Sequence, residues 1–351
     1  MATLALPCRV RDAPGLTRPH RAAPDPSGQD VRVTGPVPAT GRFGLAELPT
    51  AELGREVVAS WDAFLQVVQH PATDLSRPSR LAGWSGRDTC IHLGNWDDAR
   101  VLDSVLGSAR AGQLDDSPAP DAGNEALVRA HRGAGDAEVV DALVQARDRL
   151  AAWFASDDAE LSGRLLSRSI IGPLPVLTLL HAGCYELAVH ALDLAPCGAP
   201  RPPEPLLQRG LAALIDVTGA LTARAGVDIS LTGTTPDGGW RFTSGPAGWT
   251  TEQHSGAEVQ GVGVHGSVTD LLDASAGRIS VPQLLLTRRM QVSQLHQWMR
   301  LAPLLEELPG LPGGAALRGT VGGISSVAGG LAGVAGGVAG GVGRALGRLR
   351  R

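Results

Sequence analysis

The sequence lacks a cysteine pattern that would indicate a disulfide framework or a cysteine-based metal site. Its four cysteines, Cys8, Cys90, Cys184 and Cys197, are far apart and show no CxxC spacing. Small disulfide-stabilised domains and zinc ribbons have closely spaced cysteines. The N-terminus also has no continuous apolar run of signal-peptide length. These two absences predict a reduced, cytoplasmic protein.

The sequence also lacks an excess of positive charge. Its 31 Lys and Arg and 35 Asp and Glu give a formal net charge of −4 at pH 7. Because no global positive field attracts phosphates, this balance predicts no nucleic-acid partner. The hydrophobic fraction of 43% and the charged fraction of 19% are typical of a folded globular chain.

Several catalytic motifs are missing as well. No GxSxG, P-loop or HExxH pattern occurs, and the glycine runs lack the strand context of a dinucleotide-binding turn. The sequence therefore gives no indication of a nucleophile elbow, a phosphate-binding loop or a zinc-protease helix.

The length of 351 residues allows two domains. Residues 1–44 are rich in Pro, Gly, Arg and Asp, and we predict a disordered extension there. Over 45–196, apolar residues recur at helical spacing in four long stretches, which predicts an all-α four-helix bundle. The first stretch contains Leu53, Val57, Trp61, Phe64 and Val68.

The other three stretches predict helices at 83–107, 136–156 and 173–194, and a short helical piece is predicted at 124–133. The second of the four helices is predicted to begin with a capping box. In that arrangement Ser85 accepts a hydrogen bond from a free amide of the first turn, and Asp88 stands three residues later.

The pattern changes after a Pro-rich stretch at 197–204, which we predict to be an interdomain linker. Residues 205–310 show one helical stretch, four short strand-like runs and further helical patterns, including one that starts at Met290. This order predicts a small α+β domain with a mostly antiparallel sheet.

Residues 311–351 are predicted to be a low-complexity tail. Residues 319–343 carry no charge, and Gly329, Gly333, Gly337 and Gly341 form a GxxxG ladder that is typical of close helix contacts in membranes. Two interpretations are open: a membrane- or self-associating helix, and a flexible tail. The glycine content favours the flexible tail, because glycine costs about 1 kcal/mol per residue relative to alanine in a helix.

The candidate functional site lies in the stretch CYELAVHALDL. Glu186 and His190 are four residues apart, and therefore one turn apart on one face of a predicted apolar helix. A lone buried carboxylate is costly, so both side chains need partners. In one interpretation, Glu186 forms an ion pair with an arginine and His190 donates to a carbonyl. In the other, both bind a metal ion together with a ligand from another helix.

His92 is the candidate for that third ligand, because it lies within the second predicted helix among apolar neighbours. Two histidines and one glutamate suit zinc or another divalent ion, and three protein ligands leave a coordination position open. Asp193, one turn after His190, either holds the His190 ring or is an ordinary surface carboxylate. His181 faces another side of its helix and is a weak candidate.

These residues resemble a known family. LAGWSGRDTCIHLG and ELAVHALDLA are similar to two motifs of the mycothiol-dependent maleylpyruvate isomerase family, which is a group of DinB-like metal-binding four-helix bundles. VHGSVTDLLDASAGR resembles the C-terminal domain of that family, which is similar in fold to sterol carrier proteins. The likeness covers residues 48–308 and leaves both tails unexplained.

The resemblance implies that His92, Glu186 and His190 bind zinc or another divalent metal and that mycothiol is the cofactor. The partners would be this thiol and a small electrophile, and the reaction would be an isomerisation or an S-transfer. Arg87 is a candidate for orienting an acidic substrate, although an ion pair with Asp88 or Asp97 is the alternative. A non-enzymatic metal- or ligand-binding protein, associated with a membrane through its tail, is the competing interpretation.

Overall fold

The structure of the protein is a computed structural model that describes residues 35–114, 121–169, 172–256, 258–259 and 261–298. The predicted tail at 311–351 and most of the predicted extension at 1–44 lie outside these residues. Within the described part, no helix combines the length and the apolar character needed to span a membrane.

The first part of the chain is helical, and its longest helices pack together. Helices α1, α5 and α7 lie at three of the four predicted positions, and α1 packs against both of the others. All five apolar positions named for the first predicted helix are buried. The elements are β1 Arg42–Phe43, α1 Thr50–Val68, α2 Gly86–Leu93, α3 Val101–Arg110, α4 Asp121–His131, α5 Asp136–Phe154, α6 Asp157–Ser162, β2 Leu166–Ser167, β3 Leu174–Pro175 and α7 Val176–Asp193.

The second predicted helix is only partly correct. Its start is confirmed, because the Ser85 hydroxyl accepts from the Asp88 amide and the Asp88 carboxylate accepts from the Ser85 amide. The continuous helix over 83–107 is wrong, since α2 ends at Leu93 and Gly94 is extended. A Cβ at Gly94 would lie 3.1 Å from the Cβ of Ala142 on α5, so the chain passes close to α5 and turns before α3 begins.

The second part of the chain is the predicted helix-and-sheet unit. Its elements are α8 Glu204–Arg224, β4 Ile229–Thr235, β5 Gly238–Gly245, β6 Gly248–His254, β7 Val262–Gly266, α9 Val268–Ser275, α10 Val281–Leu286, β8 Met290–Ser293 and α11 Leu295–Trp298. The strand order is β1-β6-β5-β4-β7-β8. The pairings are antiparallel except β4 with β7 and β1 with β6.

Two strands correct the sequence-based predictions. Arg42 and Phe43 pair with Gly248 and Trp249 at the sheet edge, so the predicted extension at 1–44 overlaps an ordered strand. The predicted helical pattern beginning at Met290 is wrong at its start, because Met290–Ser293 pair with β7. Strands of two and four residues are too short to show a periodicity of their own.

Helix α8 joins the two parts. It lies along α7 on one side and under β5 and β6 on the other. At Gly210 the two helices approach so closely that an added Cβ would lie 2.4 Å from the Cβ of Ala188. Helix α9 also contacts both α7 and α8. As a result, the loop after α9 lies beside the C-terminal end of α7, where the site residues are.

Asp216 on α8 attaches the N-terminal segment to the sheet. Its Oδ1 accepts hydrogen bonds from the Leu45 amide at 3.0 Å, the Trp249 indole at 2.9 Å and the Thr251 hydroxyl at 2.6 Å. Its Oδ2 is buried and has no hydrogen-bond partner in the described part. Burial raises the pKa of Asp216 to about 6, although these three donors act in the opposite direction.

We expect Asp216→Asn to change how stability depends on pH. The folded-state pKa of Asp216 lies above the usual value of 3.8, so its protonated form favours folding below that value and this contribution is lost as pH rises through about 6. Asparagine keeps the Oδ1 acceptor without a charge. As the pH rises from 4.5 to 7.5, the free energy of unfolding of the variant, measured by urea denaturation, should therefore increase by about 1–3 kcal/mol relative to that of the native chain. A stability difference that is constant over this range would contradict the prediction.

Candidate metal centre

The structure brings His92, Glu186 and His190 together. Glu186 and His190 lie one turn apart on α7, and the His190 Nε2 is 3.3 Å from the Glu186 carboxylate. His92 approaches from α2, with its Nε2 4.0 Å from the same carboxylate oxygen. One potential ligand atom from each of the three residues lies within 4.8 Å of the others. The geometry therefore converges on a single point between two helices.

Burial and mutual contact set the charges in this group. Burial lowers the pKa of His92, which favours its neutral form. Burial acts to raise the pKa of Glu186, but its contacts with His190 and His92 outweigh it and lower that pKa. Burial also acts to lower the pKa of His190, but Asp193 and Glu186 raise it to about 9. The carboxylate is thus ionised, and the two histidines respond to their surroundings in opposite directions.

A carboxylate contacts the Nδ1 of His190, the ring nitrogen that does not face Glu186. Its Nδ1 lies 3.0 Å from Asp193 Oδ2, within hydrogen-bond distance. Asp193 is fully buried and accepts two hydrogen bonds from Arg278, each of 2.8 Å. Burial opposes ionisation, but Arg278 and His190 lower the pKa of Asp193 to about 2. An ionised Asp193 accepts from the Nδ1–H of His190 and leaves its Nε2 directed at Glu186.

A second arginine connects the helical part to the second part of the chain. The Arg80 guanidinium lies 2.9 Å from Asp273 on α9 and 3.9 Å from Asp193. Its backbone amide also donates to the Asp193 carbonyl oxygen at 3.0 Å. Arg80 and Arg278 thus approach Asp193 from two different segments of the chain.

The side chains present fit a divalent metal ion. Two imidazoles and one carboxylate are a donor set that zinc accepts, and the known sites with three protein ligands keep one position for water or substrate. Both ring nitrogens of His92 are buried and have no hydrogen-bond partner in the described residues. A buried polar atom without a partner is costly. A metal ion would satisfy the Nε2 of His92 directly.

The other predicted site residues have different surroundings. Arg87, a candidate for orienting a substrate, donates instead to Asp136 at 2.7 Å, and this pair replaces the expected partners Asp88 and Asp97. His181 is buried on α7 outside the three-residue group, and burial lowers its pKa to about 4. Cys90 and Cys184 are free and buried, as expected for small core residues.

The partners expected in the interpretation without a metal, an arginine for Glu186 and a backbone carbonyl for His190, differ from those that the described residues show. In the described part, no arginine lies within ion-pair distance of the Glu186 carboxylate, whose close contacts are the two histidines. Among the residues that the structure describes, His190 contacts the Asp193 carboxylate and not a backbone carbonyl.

Sequence reasoning missed Arg278 and Arg80. Arg278 is the last residue of the stretch VHGSVTDLLDASAGR in the second domain, and it is 85 residues away from Asp193 in sequence. Helical spacing relates residues on one helix and gives no signal for a contact of that length.

Comparison with known proteins finds a family model that matches part of the chain. The profile described as "Mycothiol maleylpyruvate isomerase N-terminal domain" matches residues 55–195. A crystal structure of the mycothiol-dependent maleylpyruvate isomerase is 20% identical, with a TM-score of 0.45 over 72% of this chain and 96% of that one. The crystal structure of a histidine-to-alanine mutant with the same name is 19% identical, with a TM-score of 0.46 over the same shares. No curated protein matches the chain.

Proposed function

We propose that the protein is a zinc-dependent enzyme, from the premise that residues 55–195 match the family model described as "Mycothiol maleylpyruvate isomerase N-terminal domain". It would activate a low-molecular-weight thiol, mycothiol, for isomerisation of, or transfer to, a small electrophilic substrate. The observation that carries the proposal is the convergence of His92, Glu186 and His190 within 4.8 Å at a largely buried position. The family profile ends at residue 195, so the sterol-carrier-like character of the second domain stays a prediction.

The ligand number favours a reactive site over a structural one. Structural zinc sites are closed by four protein ligands, whereas catalytic sites have three and an open position. The described residues bring together a group of three. The Glu186 side chain keeps 17% of its surface exposed, so solvent reaches one member of the group. A thiol would therefore approach the group beside Glu186.

The charges around the site suit an anionic thiol. Glu186, Asp193 and Asp273 are countered by Arg80 and Arg278, which leaves one net negative charge when the histidines are neutral. A divalent ion would change this balance to one positive charge. A thiolate would then neutralise the site, so the anionic form of the thiol is favoured over the neutral one.

The side chains of the protein would hold the metal ion and orient the thiol, and the metal ion would make the thiol more acidic. When bound, zinc would lower the pKa of a coordinated thiol so that the nucleophilic thiolate is present at neutral pH. Glu186 and the two histidines would fix the position of the sulfur, and Asp193 would keep the Nε2 of His190 free of a proton. Burial of the three side chains limits the access of water to this position.

Two reactions are compatible with such a thiolate. In an isomerisation, sulfur would form a bond to one carbon of an electron-poor C=C, and the electron pair of the double bond would move to the conjugated carbonyl. Rotation about the resulting single bond and loss of the sulfur would restore the double bond and the thiol. In an S-transfer, the sulfur would stay attached and a leaving group would depart with its electron pair.

The proposal is tested with the full-length chain, zinc, mycothiol and maleylpyruvate. We expect about one zinc per chain by elemental mass spectrometry after reconstitution, and mycothiol-dependent consumption of maleylpyruvate in the presence of metal. Recovery of free mycothiol indicates isomerisation, and its stoichiometric loss into a thioether indicates transfer. Zinc binding without reaction toward maleylpyruvate or a panel of small electrophiles would contradict the enzyme proposal and favour a structural metal.

A further inference from the structure

The structure supports the two histidines of the proposed metal centre unequally. We infer that His190 is the anchoring ligand and His92 the exchangeable one, and that Asp193 is the positioning residue responsible for the difference. This inference rests on the proposed metal centre and adds an order in which its ligands bind and release the ion.

The His190 side is fixed by a chain of buried contacts. His190 is on an 18-residue helix that packs along α8 and α1. Its Nδ1 is 3.0 Å from Asp193, and Asp193 is held by two 2.8 Å hydrogen bonds from Arg278, whose side chain is 9% exposed. A metal-binding histidine whose second nitrogen donates to a carboxylate is a stronger and better oriented ligand.

The His92 side has no comparable support. In the described part, neither of its ring nitrogens has a hydrogen-bond partner. The ring contacts of His92 are aromatic, with the Trp84 ring at 5.7 Å and the His190 ring at 5.3 Å between centroids. His92 is also the last residue but one of an eight-residue helix. Apart from the 4.0 Å approach of its Nε2 to the Glu186 carboxylate, His92 therefore depends on packing for its orientation.

The local sequence explains why His92 has no counterpart of Asp193. Asp193 is three residues after His190, and α7 continues through Asp193, so the carboxylate is brought back beside the ring. The residue three positions after His92 is Asn95, which lies beyond the end of α2. Its backbone amide donates to the Ala142 carbonyl on α5 instead. The early end of α2 thus removes a partner that a longer helix would place near the ring.

The unequal support of His190 and His92 implies an order in which the ligands bind and release the metal ion. Glu186 and His190 share one rigid helix, so they would bind the ion first and keep it longest. His92 would join last and leave first, which would open a second coordination position without loss of the ion. Since an outer partner of a ligand is worth about 10–100-fold in metal affinity, removal of His190 should cost about that factor more than removal of His92.

The test is a set of cobalt(II) titrations of the full chain, followed by the visible absorption of the bound ion, with zinc affinities from chelator competition. The variants are His92→Ala, His190→Ala, and each of these combined with Asp193→Asn. We expect His190→Ala to weaken binding about 10–100-fold more than His92→Ala does. In the Asp193→Asn background, this difference should fall to about threefold or less, because the support of His190 is gone.

The single variants decide the inference even if the Asp193→Asn chains fail to fold. Equal losses for His92→Ala and His190→Ala, or a larger loss for His92→Ala, would overturn it and leave the proposed metal centre intact. A difference that persists unchanged in the Asp193→Asn background would overturn the role of Asp193. A native chain that binds neither cobalt nor zinc would overturn both this inference and the proposed function.

Discussion

Glu186→Gln should abolish stable metal binding and preserve the fold. The substitution keeps the shape of the side chain and removes the one carboxylate of the three-residue group, which carries the negative charge that a divalent ion needs. Residues that hydrogen-bond to metal ligands already contribute about 10–100-fold to metal affinity. Loss of a ligand itself should therefore lower the zinc affinity by at least about 100-fold. Zinc content after dialysis and chelator competition measure this loss, and circular dichroism verifies the fold.

Glu204→Gln is the matched control, since Glu204 is a partly exposed carboxylate in the first turn of α8 outside the three-residue group. It should bind zinc as the native chain does. The prediction fails if Glu186→Gln retains native affinity, or if both variants lose metal equally. The second result would indicate a non-specific effect of net charge.

Arg278→Met should destabilise the protein strongly. Arg278 donates twice to Asp193, which has no exposed surface, and methionine would leave that carboxylate buried with His190 and the more distant Arg80 as its neighbours. Removal of one partner of a buried ion pair costs about 3–5 kcal/mol, because the remaining charge is uncompensated. Urea denaturation at pH 7 measures the change, and the variant should also bind zinc more weakly, since the support of His190 is disturbed.

Two further variants separate charge from position. Arg278→Lys keeps the charge without the paired donors, so its loss of stability should be smaller. Arg201→Met removes an arginine that is mostly exposed and 3.6 Å from Glu204, and exposed pairs contribute about 0–1 kcal/mol. A cost for Arg278→Met as small as that for Arg201→Met would show that the Asp193–Arg278 pair is not important for stability.

Three features that the sequence predicted correctly each lie within one helix. The four-residue spacing of Glu186 and His190, the capping box at Ser85 and Asp88 and the apolar pattern of α1 all depend on a single helix, and the structure contains each of them. His92 required more than spacing, because its proximity to α7 depends on how two helices pack. The family resemblance supplied that link.

What the sequence could not predict depends on distant contacts. Helix α2 ends at Leu93 because the chain next passes close to Ala142, which only packing reveals. Arg87 pairs with Asp136, 49 residues away, and not with the nearer acids. The short strands β1 and β8 form because a sheet edge accepts them. In each case a tertiary contact outweighs the local signal.

The position of α8 also has a consequence for how the molecule can be divided. The matched family segment ends at residue 195, but the side of α7 that carries Cys184 and Ala188 lies against Gly210 of α8. A fragment that stops at the end of α7 would expose this side of α7 to water. We therefore expect the two parts to melt as one cooperative unit, and the chain to tolerate neither truncation nor domain exchange at the Pro-rich junction that its sequence presents as a boundary.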